Sequence, residues 1–110
     1  MSYIIQLIFH SRIQYGVGYM EWKKYERISR ELRVFSHPVR ISIIRELIRC
    51  EECSVTELCN ILELSQSTIS QHLWRLKSCN IVMSRRSENV RIYWACHAQV
   101  KQITAILMRG

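Results

Sequence analysis

The sequence predicts a mainly helical domain that carries one small β-hairpin. Three observations point there. Apolar residues recur every three or four positions in several separate segments, start and stop residues bracket those segments, and after Lys77 the period shortens to that of strands.

In the first helix Trp22, Tyr25, Ile28, Leu32 and Phe35 form one apolar stripe, and the stripe stops at His37-Pro38 because a residue before proline is pushed out of the helical region. Pro38 suits the first turn of a second helix, with Val39, Ile43, Ile44 and Leu47 on its buried side and an end around Arg49. Ser54-Val55-Thr56-Glu57 has the form of a capping box, so a short third helix should start there with Val55, Leu58, Ile61 and Leu62 inward. Ser65 can cap a fourth helix in the same way, and Ile69, Leu73 and Leu76 are its core stripe. Two helices joined by so short a turn make a helix-turn-helix candidate.

Beyond them, Ile81–Arg86 and Val90–Trp94 are rich in branched and aromatic residues and flank Ser87-Glu88-Asn89, which reads as a hairpin. Asn80 can hold the left-handed conformation that closes the fourth helix. A last helix from about His97 carries Val100, Ile103, Ile106 and Leu107 on one side. Four helices, a two-stranded wing and a C-terminal helix are the order of a winged helix-turn-helix. Residues 20–110 are assigned to that domain. Residues 1–19 differ in character, with Gly16 and Gly18 around Val17 and no acidic residue, and stand as an N-terminal extension. Met20 as the natural initiator and a helix added to a dimer interface are the two explanations of that extension.

Sixteen Lys plus Arg oppose nine Glu and no Asp, for a net charge of +7, which suggests an anionic partner. The charge is uneven. Glu46 to Leu64 is acidic, whereas Ser65 to Arg91 holds Arg75, Lys77, Arg85, Arg86 and Arg91 against Glu88 alone. An odd number of cysteines, five, and no convincing signal peptide argue against a disulfide scaffold and for a reducing, cytoplasmic setting. The apolar start is interrupted by Gln6, His10 and Arg12 and is too short to span a bilayer.

The fourth helix opens with Ser65, Gln66, Ser67, Thr68, Ser70 and Gln71, although Ser and Thr are only middling helix formers. At a hundred degrees per residue, Ser67, Gln71, Trp74, Arg75 and Ser78 lie opposite the core stripe. Any soluble helix has a polar outward face, but such faces mix Glu with Lys, and Ser65 to Ser78 contains no acidic residue. Short hydroxyl side chains allow close approach to a groove, Gln pairs with adenine, Arg pairs with guanine, and the helix N-terminus favours phosphate. Double-stranded DNA is the partner this surface fits. Trp74 either packs on a sugar-phosphate edge or covers a neighbouring helix.

Ser36-His37-Pro38-Val39-Arg40-Ile41, Ser54–Leu58, Leu64–Leu73 with its SQSTISQHL core, and Arg85-Arg86 with Ile92-Tyr93 resemble the ArsR/SmtB-type winged-helix repressors over about residues 25 to 108. The resemblance implies a homodimer joined through the first and last helices, here through Trp22, Tyr25, Val100, Ile103, Ile106 and Leu107. It implies a recognition helix in the major groove, a wing along the minor groove, and release from an operator by a small effector. Ser65, Gln66, Ser67, Thr68, Ser70, Gln71, His72, Arg75 and Lys77 then serve the recognition helix, and Arg85, Arg86, Asn89 and Arg91 the wing. Two positions depart from the family pattern: Glu63 and Glu88 stand where glycine is usual. A side chain in left-handed geometry costs on the order of 1 kcal/mol, so these turns are expected to differ in shape. Glu88 also repels phosphate, which argues against deep insertion of the tip.

The metal sites known in such regulators look absent or incomplete, because Ser54 and Thr56 stand at the cysteine positions of one and Cys96-His97 with Met108-Arg109-Gly110 at those of the other. Cys50, Cys53 and Cys59 remain as candidate soft ligands for a thiophilic ion such as zinc or for an arsenite-like species. Ordinary packed cysteines are the plainer reading of the three, as they are for Cys59 and Cys79 singly. Cys96 and His97 are a further candidate pair toward a partner subunit. His10, His37 and His72 have no catalytic spacing. With no Asp, no nucleophile motif and no phosphate loop, an enzyme has little support. The function expected is a dimeric, sequence-specific repressor released by a metal, a metalloid or a thiol oxidant. The alternative is an architectural or protein-interaction module without a specific operator.

Overall fold

The computed structural model of the chain describes residues 18–96 and 98–109. Expectations that concern residues 1–17, His10 included, and His97 lie outside the described residues. The helices are α1 (Tyr19–Val34), α2 (Pro38–Cys50), α3 (Val55–Leu62), α4 (Gln66–Ser78) and α5 (Ala98–Met108), and the strands are β1 (Cys53–Ser54), β2 (Val82–Ser87) and β3 (Val90–Ala95). The described residues fall into two compact units that meet between Leu32 and Arg33.

In the first unit, Trp22 is buried and meets the Tyr25 ring edge-on, with centroids 6.5 Å apart. Tyr25, Ile28 and Leu32, three members of the expected stripe, are exposed.

The second unit has one core, in which Ile43, Ile44 and Leu47 of α2, Leu58 of α3, and Ile69, Leu73 and Leu76 of α4 have no exposed surface. His37 caps α2 with its own ring, Nδ1 accepting from the Val39 amide at 3.1 Å, and Pro38 occupies the first helical turn where no amide is needed. Both halves of the capping box on α3 are made: the Glu57 amide donates to Ser54 Oγ at 3.1 Å, and the Ser54 amide donates to Glu57 Oε1 at 3.2 Å. The inward arc of α3 is Val55, Leu58, Cys59 and Leu62, whereas Ile61, expected inside, is exposed because it falls about a hundred degrees off that arc.

The left-handed positions organise the turns. Asn80, at φ 60°, closes α4 as expected, with its amide donating to Lys77 O and the Ile81 amide to Leu76 O, the paired bonds of a Schellman motif. Glu63, at φ 56° and ψ 43°, closes α3 with its amide donating to Cys59 O. Glu88, at φ 57°, opens the two-residue wing turn between Ser87 and Val90. The expectation that Glu63 and Glu88 reshape these turns is therefore corrected. Both take a left-handed conformation that glycine adopts freely, because the surrounding hydrogen bonds hold the backbone there.

The hairpin forms as read, but a third strand joins it. β1 pairs antiparallel with β3 through Cys53–Tyr93 and Ser54–Ile92, giving the order β1-β3-β2. On α5 the apolar side divides. Val100 lies in the core beside half-buried Ile103, and Thr104 is buried with its hydroxyl donating to Val100 O at 2.8 Å. Ile106 and Leu107 are exposed. Of the residues expected at a dimer interface, then, Trp22 and Val100 are buried within the chain itself. Among the described residues no helix is long and apolar enough to cross a membrane.

Candidate nucleic-acid interface

Ser65 sets the start of α4. Its Oγ accepts from the Thr68 amide at 3.3 Å and donates to Thr68 Oγ1 at 2.9 Å, and it lies 3.3 Å from Ser67 Oγ. The helix enters with its first amides facing solvent and its hydroxyls already ordered. With Ile69, Leu73 and Leu76 held in the core, Gln66, Ser67, Ser70, Gln71, Trp74, Arg75, Lys77 and Ser78 are all exposed. Trp74 is 68% exposed, so it covers no neighbouring helix of its own chain.

His72 and Thr68 are only half buried, and His72 belongs less to the outward face than to the junction with α2: its ring centroid is 4.3 Å from that of His37, at 44°. Burial holds the His72 imidazole below the ordinary histidine range, and the neighbouring His37 ring and the Arg40 and Arg75 guanidinium groups push it the same way. His37, Arg40, Gln71, His72, Trp74 and Arg75 line an open cleft of about 670 Å³. Residues 35 apart in sequence meet there, and no periodicity or spacing announces such a pair. The nearest signal in the chain is the cap position of His37 before Pro38.

The wing separates its arginines by strand alternation. Arg86 and Arg91 are direct cross-strand partners and share a face with Ser84, which accepts from Arg91 Nη1 at 3.0 Å. Like charges placed opposite one another destabilise a hairpin unless an anion lies over them. Arg86 also donates from Nε to Glu88 O at 3.3 Å, and Asn89 completes the turn. Arg85 lies on the other face, in a two-pronged pair with Glu52 at 3.1 and 3.2 Å and 5.8 Å above the Trp94 ring. That pair ties the wing to the segment before β1.

Among the described residues no group of three or more His, Cys, Asp or Glu side chains is placed to hold a metal ion. The trio Cys50, Cys53 and Cys59 is not assembled as a ligand set. Cys53 is buried in β1, and burial, reinforced by Cys50 and Glu57, pushes its thiol up to about 11, which disfavours the thiolate that a soft metal needs. Cys50, Cys59 and Cys79 pack against the core.

The family described as bacterial regulatory protein, arsR family, matches residues 37–84, which span α2 to the first half of the wing. The chain is 33% identical over 76 residues to the transcriptional repressor PagR of Bacillus anthracis, covering 69% of this chain and 75% of PagR. It is 32% identical over 73 residues to the arsenical resistance operon repressor of Staphylococcus xylosus, covering 66% of this chain and 69% of that one. Among solved structures it is similar to reduced HlyU from Vibrio cholerae, with a TM-score of 0.73 at 33% identity over 82% of this chain and 93% of HlyU. The family and these relatives are transcriptional regulators and not enzymes. The chain, a winged helix-turn-helix whose fourth helix carries no acidic residue, belongs to the ArsR family of bacterial DNA-binding transcriptional regulators.

Proposed function

We propose that the chain is a homodimeric, sequence-specific repressor that acts in the cytoplasm, reads an operator in double-stranded DNA with α4, and grips the flanking backbone with the β2–β3 wing. The observation that carries this is the outward face of α4, where Ser67, Gln71 and Arg75 stand exposed with no carboxylate between Ser65 and Ser78. Small polar side chains come close enough to base edges to pair with them, and Arg86 beside Arg91 supplies the cationic hold on phosphate. Two such helices in a dimer enter successive major grooves, so half-sites lie about 10 base pairs apart.

Selection from genomic fragments followed by footprinting tests the reading, and an enriched two-half motif is the expected result. Gln71→Ala should relax preference at one base pair by roughly 1 to 3 kcal/mol, while Arg86→Ala should weaken operator and random DNA alike. Equal loss on both DNAs for the Gln71 variant contradicts its role in base reading. A selection that enriches no motif favours the architectural alternative. Release by a small effector completes the reading. Titration of zinc, arsenite and a thiol oxidant into the complex reads it out, and an affinity unmoved by all three marks a constitutive binder.

A further inference from the structure

The cleft between the start of α2 and the outward flank of α4 is built from bases without acids. Arg40 and Arg75 form no ion pair among the described residues, and Arg40 Nε is buried with no hydrogen-bond partner among them. A buried guanidinium N–H without an acceptor costs free energy, and an anion placed beside it and the neighbouring Arg75 guanidinium would satisfy it. Because His37 Nδ1 accepts the Val39 amide, its proton sits on Nε2, which makes that edge of the ring a further donor. Exposed Trp74 forms an apolar wall of the same cleft.

We propose that this cleft is a phosphate site: it seats one backbone phosphate of the DNA beside the base-reading face of α4, held by the guanidinium groups of Arg40 and Arg75 and by His37, with Trp74 against the adjoining sugar. The inference rests on the DNA-binding reading and adds a contact to it. Phosphate is favoured over a carboxylate ligand by the planar forks of two arginines, which match its oxygens in pairs. The DNA backbone is favoured as its source because Gln71 and Arg75 line both the cleft and the outward face, so a duplex read by α4 brings its own strand past the opening.

The groups that face His72 are His37 and Arg40 from α2 and Arg75 from α4, and none is an acid. An anion in the cleft reverses their effect and favours the imidazolium. Binding then takes up a proton, so affinity for any DNA rises as pH falls toward the depressed range in which His72 of the free protein titrates.

The test is fluorescence anisotropy of the full chain on its selected operator and on a random duplex, over a salt series and from about pH 7.5 to 5.5. R40Q, checked for fold by circular dichroism, should bind both DNAs roughly tenfold more weakly and lower the salt slope by about 0.9, with the preferred motif unchanged. H72Q should flatten the pH dependence. R75Q, at an exposed position, supplies the same random-DNA readout should R40Q not fold. A folded R40Q with wild-type affinity and slope overturns the phosphate site while leaving operator recognition standing, whereas a wild type that binds no DNA overturns both readings. Inorganic phosphate, titrated against chloride at matched ionic strength, separates the sources. Displacement of DNA by phosphate beyond that by chloride, lost in R40Q, supports the backbone assignment, whereas saturable binding of phosphate with no effect of R40Q on DNA affinity assigns the cleft to the free anion and overturns it.

Discussion

His72 spends its charge state on packing: half buried, 4.3 Å from the His37 ring and flanked by Arg40 and Arg75, it is held neutral by the folded chain more firmly than by the unfolded one. A histidine whose folded pKa is depressed contributes stability above its unfolded value, near 6.5, and that contribution is lost as pH falls below it toward the folded value. Urea midpoints of the free protein should therefore drop between about pH 7 and pH 5, and H72Q should shrink the drop. An identical pH profile for the two proteins would remove His72 from the account. The same contact marks a limit of reading along the chain. His72 is visible there as a residue bordering the Ile69-Leu73-Leu76 stripe, but its partner lies in another helix and becomes a neighbour only when α2 and α4 pack.

Local chemistry was most legible at the element ends. Ser54 with Glu57, Ser65, Pro38 and Asn80 act through neighbours at fixed short offsets, and each occupies the cap or turn that its side chain favours. β1 was not legible, since a two-residue strand has no period and its partners Tyr93 and Ile92 are nearly forty positions away. Likewise the split of α5 between a core side and an exposed end depends on where the rest of the chain stops covering it. Glu63 and Glu88 show the opposite case: both stand out in the sequence, and the backbone prevails over their preference. Glu63→Gly should accordingly raise stability by about 1 kcal/mol, read as a shift in urea midpoint with little change in slope. Destabilisation by the glycine would mean that the Glu63 side chain makes a compensating contribution.

At the scale of the whole molecule, the first and last helices each leave apolar side chains uncovered. Tyr25, Ile28 and Leu32 are exposed along α1, and Ile106, Leu107 and Met108 at the end of α5. The proposed homodimer buries these groups, which are the expected helices although not all of the expected residues: Trp22 and Val100 already serve the single chain. Ile106→Glu should shift the protein toward monomer in analytical ultracentrifugation, and it should weaken a two-half-site operator far more than a single half-site. A dimer that survives this charge with unchanged affinity would move the interface away from α5.

The short pairing of β1 with β3 makes the first turn of α3 and the base of the wing one continuous piece, since Ser54 is at once a strand residue and the cap of that helix. Growth of the chain is therefore tolerated very unequally at the two ends of the wing. Extra residues at Glu88-Asn89 would only lengthen a solvent-facing tip, whereas one residue added beside Cys53 would turn its thiol out of the interior, detach the cap from its helix and tilt α3 and the wing at once.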